Sequence, residues 1–469
     1  MPRVGQPVRE GGQALRDRIA LGVLTATFPP AIVDEAIEAT TKRELRHRLL
    51  PARLVVYYVL AMSLFREAGY EEVMRQLTEG LVGLGDQPLE IPSSVAISKA
   101  RQRLGKEPLE ALFKSTCRPL ATSATKGANY RDWRLVSMDG TVLDVPDTPS
   151  NLAAFGRHRS GRGEAAFPQV RVVALAECGT HAMFAASAGA SSDGENTIAA
   201  PLAASVGPGM LVLADRGFGG SYELFGEFAD RGAELVWRVK SNAVLPVAER
   251  LEDGSFRSEL SATKERAARA VRVVEYEVDD PGRPQAEDRT YRLVTTILEP
   301  ERAPATDLAA LYAERWEFET ALDELKTHQR GPRIVLRSKT ADGVYQEAWG
   351  MLCVHYAIRA LMCRAAEEGE IDPDRLSFTR SMRAARRSVR RSVDDFTAGL
   401  SHATAEILHE LVPDRRLRAN PRVVRRKMSN FAVKRPEHRS WPQPTMSIED
   451  AIRIIGAYVT GIEPKPAEA

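Results

Sequence analysis

Apolar residues recur at helical spacing through the first quarter of the chain and in short alternating or continuous runs through the middle. This predicts a helical start followed by a sheet. Amphipathic helices are expected at 30–45, 51–65, 70–81 and 108–123. Another begins after the Ser93 capping signal and carries Lys99, Arg101 and Arg103, as a DNA-recognition helix or as a packing helix with solvated cations. From Tyr130 the pattern turns to strands at 134–138, 170–176, 181–188 and 210–214, a helix at 221–231 and a strand at 234–240. Strand runs at 268–278 and 290–298, separated by a loop at 279–288, form an insertion of about 241–300. An extended piece at 333–338, a long apolar helix at 345–367 and an amphipathic helix at 448–462 close the pattern. The reading is an α/β fold in three regions: helical at 1–125, sheet-bearing at 126–370, helical and basic at 371–469.

One helical segment stands apart, Leu311 to Lys326, LYAERWEFETALDELK. At about 100° per residue, Tyr312, Arg315, Glu319 and Lys326 share a stripe roughly 60° wide. Leu311, Phe318, Leu322 and Leu325 line the neighbouring stripe, while Glu314, Glu317 and Glu324 point elsewhere. Glu319 is thereby expected at the edge of a buried face, a lone carboxylate among phosphate-binding groups. The plainer alternative is an i, i+4 ion pair of Arg315 with Glu319 on an ordinary amphipathic helix.

Two further acids follow apolar strands. Asp139 comes after 134–138 and precedes Gly140-Thr141, and Asp215 comes after 211–214 and precedes Arg216-Gly217-Phe218-Gly219-Gly220. An acid in that position often only caps a turn. Phosphodiester cleavage, however, needs cations on both the attacking and the leaving oxygen. A few carboxylates facing one cleft hold hard divalent ions for that purpose. Asp144 and Asp147 compete with Asp139 for the role, and Asp323 competes with Glu319.

Charge sharpens this picture. The chain has 65 Lys and Arg against 63 Asp and Glu, yet 17 basic and 6 acidic residues fall between Arg375 and Ser440. Arg380, Arg383, Arg386, Arg387, Arg390 and Arg391 recur at helical spacing with no acid between them. Arg415, Arg416, Arg418, Arg422, Arg425, Arg426 and Lys427 form a second run. Such segregation favours a polyanionic partner, double-stranded DNA above all. Cys117, Cys178, Cys353 and Cys363 have neither zinc spacing nor a secreted disulfide pattern, and no apolar run approaches the ~18 residues of a membrane span. A cytoplasmic protein without membrane partners is expected.

Tyr312-x2-Arg315-x3-Glu319-x6-Lys326 has the spacing of the YREK signature, and the chain resembles the IS4 family of insertion-sequence transposases, DDE enzymes of bacteria. Met138-Asp139-Gly140-Thr141 and Ala214-Asp215-Arg216-Gly217-Phe218 are similar to the family's acidic motifs. Phe155-Gly156, Trp237-Arg238-Val239-Lys240, Leu336-Arg337-Ser338-Lys339 and Gln346-Glu347-Ala348-Trp349 extend the likeness over roughly 15–390. The resemblance implies a ribonuclease-H-like mixed sheet with a β insertion before the glutamate-bearing helix. It also implies cut-and-paste transposition through metal-dependent hydrolysis and strand transfer. Asp139, Asp215 and Glu319 would bind two Mg²⁺, or Mn²⁺ in their place, and Tyr312, Arg315 and Lys326 would hold phosphates. The implied partners are the element's terminal inverted repeats, target DNA and a second subunit, at the bacterial nucleoid. Tn5-type members stack a tryptophan of the insertion on a flipped base; here Tyr291 is the candidate in its place. The alternatives are a ribonuclease-H-like nuclease without strand transfer and an inactive DNA-binding derivative.

Overall fold

The computed structural model describes residues 22–44, 49–79, 91–160, 163–263, 266–278, 290–331, 335–389, 396–413, 418–419, 423–424, 432–433, 435–436 and 446–456. Helices α1 (Pro30–Ala39), α2 (Ala52–Leu64), α3 (Tyr70–Glu79), α4 (Ser94–Leu104) and α5 (Glu107–Thr116) stand where helical periodicity predicts them. Pro119 ends α5 early, because the residue before a proline is driven out of helical geometry. Ser93 caps α4 by accepting the Ala96 N–H at 3.3 Å.

The sheet uses β1 (Trp133–Asp144), β2 (Gln169–Glu177) and β3 (Met183–Ala190), then helix α6 (Glu195–Ala199), β4 (Met210–Ala214), α7 (Tyr222–Asp230) and β5 (Glu234–Arg238). The insertion adds β6 (Phe256–Leu260), β7 (Arg269–Val278) and β8 (Thr290–Thr295), and helix α8 (Ala305–Ala313) follows. Across the sheet the order is β3-β2-β1-β4-β5-β8-β7-β6. The first three strands pair antiparallel, whereas β1, β4 and β5 run parallel. That arrangement is the ribonuclease-H-like sheet. The insertion continues it edge to edge, with β8 antiparallel to β5.

Alternation within the parallel strands sorts the two faces. Val136, Met138, Val212, Ala214, Leu235 and Trp237 meet Phe225 and Phe228 of α7 on one side. Leu135, Leu211, Leu213 and Val236 meet Leu308, Ala309 and Tyr312 on the other.

Helix α9 (Trp316–Asp323) leads through a π-helical turn, Glu324–Gln329, toward the long α10 (Ala341–Glu368), and α11 (Phe378–Val389) and α12 (Phe396–Leu408) follow. The N-terminal helices bury no core of their own. Val55, Val59 and Phe113 share one cluster with Trp349, Leu352 and Tyr356 of α10 and with Val172 and Ala174 of β2. Gly350 permits the close approach, since a Cβ there would stand 2.9 Å from Val59 Cγ1.

Three expectations are corrected. Arg101 does not point outward from α4: it is buried, donating to Gln346 Oε1 at 2.8 Å and Ser338 Oγ at 2.9 Å, so it is a strut onto α10. The helix expected at 448–462 lasts only over Ile448–Ala451, after which β9 (Ile452–Ile454) pairs with the open edge of β7; residues beyond 456 lie outside the described ones. The arginines of α11 are not without acids, because Glu406 and Glu410 pair with Arg387 and Arg380 from the segment of α12. Arg390, Arg391 and the second basic run, apart from Arg418, lie outside the described residues. No helix among the described residues is long and apolar enough to cross a membrane.

Candidate active site

The last paired residues of β1 and β4 are Met138 and Ala214, directly opposite one another. Asp139 and Asp215 each come one residue later, so parallel pairing sets them side by side where β4 ends. Asp139 does not close its strand, as the sequence suggests, because β1 runs on to Asp144 against β2. It stands instead where the parallel neighbour stops and a cleft opens. Both carboxylates are half-secured by backbone: Asp139 Oδ1 accepts the Gly140 N–H at 2.7 Å, and Asp215 Oδ1 accepts the Gly217 N–H at 2.8 Å. Gly219 completes the second turn, because a Cβ there would collide with the Arg238 carbonyl.

The segment from Tyr312 to Lys326 is not the single helix that its periodicity predicts. α8 ends at Ala313, a tight i→i+3 turn carries Arg315 N–H to Tyr312 O at 3.2 Å, and α9 then starts at Trp316. Lys326 falls in the π-helical turn. The stripe therefore survives as a neighbourhood and not as a straight row. Arg315, only 8% exposed, donates to Asp139 Oδ2 at 3.3 Å and to Glu319 Oε1 at 3.1 Å, bringing the helical carboxylate to the strand acids. Glu319 itself is 45% exposed, more open than expected. Lys326 is half-buried, and burial together with Arg330 lowers its pKa while Asp139 opposes the shift.

The competing acids have other partners. Asp144 accepts from Gln169 at 2.8 Å, Asp147 pairs with Arg157 at 2.6 Å, and Asp323 accepts from Thr327 at 2.6 Å.

Glu314 and Glu324 are buried, contrary to the amphipathic reading. Glu324 takes Arg359 at 2.5 Å and His355 at 3.2 Å, while Glu317 takes His181 at 2.6 Å. With Asp374, 3.3 Å from His181 Nε2, these groups form a charged network behind α9. Among the described residues, His181, Glu317 and Asp374 form the one group of three metal-capable side chains with ligand atoms within 4.8 Å. The oxygens of Asp139, Asp215 and Glu319 are not drawn that close, and Arg315 is the cation between two of them.

Tyr291 is not placed to stack on a base. It is 8% exposed, lies on Tyr276 with ring centroids 5.0 Å apart, and is covered by the Arg238 guanidinium at 4.1 Å. Tyr312 is 2% exposed and supports Arg315, whose guanidinium lies 5.8 Å from its ring. Sequence reading gave no role to three cations: Arg238, which covers Tyr291, and Arg330 and Arg66, buried guanidiniums whose Nε–H has no hydrogen bond among the described residues. It also missed Glu195, at the start of α6, which stands five residues past β3 and lacks the acid-after-strand signal used for Asp139 and Asp215.

Comparison with known proteins fixes the context of this geometry. Residues 18–114 match the model of the insertion element 4 transposase N-terminal region, and residues 131–357 match the transposase DDE domain. The chain is 28% identical over 438 residues, 89% of its length and 92% of the relative's, to the transposase InsG for insertion sequence element IS4 of Escherichia coli K12. The chain belongs to the IS4 family of DDE transposases. A second Escherichia coli K12 protein, InsZ, is 24% identical over 192 residues, 41% of this chain and 62% of InsZ. A piggyBac transposase in a cryo-EM synaptic complex with hairpin DNA overlays with a TM-score of 0.44 and 10% identity, covering 86% of this chain and 88% of that one, too loosely to carry an argument.

As a DDE transposase the protein is a DNA-cleaving enzyme that requires a divalent metal. The donor set fits a hard ion, being oxygen throughout, with Asp215 Oδ2 outside its backbone hydrogen bond and Asp139 Oδ2 held by Arg315 at 3.3 Å. Burial, with the charges of Asp215 and Glu195 adding to it, outweighs the Gly140 N–H and Arg315 and raises the Asp139 pKa from 3.8 to about 6. A cation would offset that cost.

Proposed function

We propose that Asp139, Asp215 and Glu319 are the metal-holding acids of this transposase and that Arg315 and Lys326 position the scissile phosphate. The observation that carries the reading is the juxtaposition of Asp139 and Asp215 one residue beyond the Met138–Ala214 pair, with Glu319 tied to Asp139 through Arg315. The ions are Mg²⁺, two per site, with Mn²⁺ as a substitute. When bound they supply the Lewis acidity that stabilises the attacking and leaving oxygens of an in-line displacement.

The chain's own groups do the rest. The carboxylates of Asp139 and Glu319, once neutralised, release Arg315 to donate charge-assisted hydrogen bonds to a phosphate oxygen. Lys326 adds a second cation from the π-helical turn. Tyr312 acts beneath Arg315, propping its plane, because its own hydroxyl is buried and burial holds its proton firmly. Arg330 and Arg66 extend the positive field from the cleft toward the N-terminal helices, a path suited to a DNA backbone. Cleavage at the terminal inverted repeats of the element, strand transfer into target DNA, a dimeric active complex and action at the nucleoid complete the reading.

The test is a cleavage and joining assay with purified protein, duplex DNA carrying an element end, a target duplex and Mg²⁺. D139N, D215N and E319Q should each lower cleavage more than about a hundredfold, beyond the 10- to 100-fold that outer-shell partners carry. Wild-type cleavage without joined product would favour the nuclease reading. Unimpaired cleavage by D215N and E319Q would remove these residues from the site.

A further inference from the structure

The two faces of the sheet deliver acids to the cleft from opposite sides. Asp139 shares a face with Leu135, Leu211 and Leu213, the face of Tyr312, whereas its neighbour Gly140 falls on the face of Val136 and Met138. That second face carries α6, and the Glu195 side chain at the start of α6 reaches back over the strand. A Cβ at Gly140 would collide with Glu195 Oε1, so the carboxylate lies in the gap that the missing side chain leaves. Gly217 lies beside it: a Cβ there would stand 2.9 Å from Asp215 Oδ1 and 3.6 Å from Glu195 Oε2, so both carboxylates border that residue. Glu195 is also 3.5 Å from Arg171 of β2, which is 17% exposed. Arg171 holds one oxygen, Oε1, and Oε2 lies beside Gly217, whose N–H is bonded to Asp215 Oδ1.

We propose that Glu195 is a fourth carboxylate of the metal site, entering from the opposite face of the sheet through the gap at Gly140, beside Gly217, and helping to hold a divalent cation with Asp215. The inference rests on the reading of Asp139, Asp215 and Glu319 as metal-holding acids. The ion pair with Arg171 uses Oε1, the oxygen that fills the place of a Gly140 side chain, and leaves Oε2 on the side of Gly217. A carboxylate that reaches the cleft from this face needs Gly140, because a Cβ there would take the place of Oε1.

The experiment is a Mn²⁺ titration of the full-length protein without DNA, read by electron paramagnetic resonance of the free ion, with a melting curve in EDTA beside it. E195Q, which keeps the shape of the side chain, should weaken Mn²⁺ binding about tenfold, the scale on which ligand-shell groups act. Its melting temperature in EDTA should be unchanged or raised, since the substitution removes one of several crowded negative charges. G140A, which pushes the flexible end of Glu195 out of the gap, should give the same loss, and the double variant should lose no more. Wild-type Mn²⁺ affinity in E195Q and G140A overturns the proposal, as does a lowered melting temperature in E195Q with Mn²⁺ affinity intact, which would leave Glu195 as the partner of Arg171 alone. D215N, titrated in parallel, separates the two levels of inference. If D215N also binds as wild type, the three-acid reading itself falls. If D215N loses binding and E195Q does not, only the role of Glu195 falls.

Discussion

Asp139 carries two opposed requirements in one carboxyl group: it must be buried enough to define a cleft and ionised enough to hold a cation. Burial raises its pKa to about 6 from an ordinary 3.8. Between those two values the folded chain binds a proton that the unfolded chain has released, so this group's contribution to stability falls as pH rises from about 4 to 6. Metal uptake has the opposite dependence. Below about pH 6 a divalent ion must displace that proton, so Mn²⁺ affinity should climb by up to about tenfold per unit toward pH 6 and level off above 7. Titrations at pH 5, 6, 7 and 8 check this, and an affinity flat from 5 to 7 would contradict it. Tyr291 shows the reverse case, a residue whose role in sequence depended on exposure. Its aromatic character is readable from the chain, but the stack on Tyr276 and the cover of Arg238 come from β7 and β5, which only pairing brings alongside.

At the scale of elements, the segment from Leu311 to Lys326 departs most from its pattern. A 3.6-residue repeat describes a straight helix, and a break at Glu314–Arg315 followed by a π-helical turn re-aims every later side chain. The physical cause lies behind α9, where Glu324 is pulled inward by Arg359 and His355 and Glu317 by His181. These partners stand on α10 and just before β3, far away in sequence. E324Q should cost about 3–5 kcal/mol, since Arg359 would be left buried without its counter-charge. Urea unfolding at pH 7 measures that loss, and a cost under about 1 kcal/mol would show the network to be incidental. Arg359 and the two histidines outweigh burial and hold the Glu324 carboxyl well below the usual range. Its stabilising effect is therefore complete above about pH 4.5 and lost as pH falls further, toward the lowered value. E324Q should lack that part of the acid-induced loss.

At the scale of the molecule, the shared core decides what can stand alone. Val55 and Val59 of α2 and Phe113 of α5 bury themselves in one cluster with α10. A fragment of residues 126–370, the sheet-bearing region as sequence divides it, should therefore expose a large apolar face. Its circular dichroism melt should be broad and its solubility poor, while the whole chain melts in one cooperative transition. A sharp transition in the fragment would show that the N-terminal helices are an appendage. The same scale corrects the arginine run of α11, whose acids arrive from the segment of α12 and not from its own helix.

The sequence by itself determined most element types, the place of the main strands, and the two aspartates after β-type runs, because those follow from local periodicity and, at Asp215, from the turn chemistry of Asp-x-Gly. It also carried the spacing that marks the family. Tertiary structure decided what no local pattern encodes. Parallel pairing of β1 with β4 set Asp139 beside Asp215, a buried charge network bent the glutamate-bearing segment, and an open edge of β7 turned Ile452–Ile454 from helix to strand. Glu195 belongs to the same class: its carboxylate finds room only because Gly140, 55 positions away in the chain, carries no side chain on that face of the sheet.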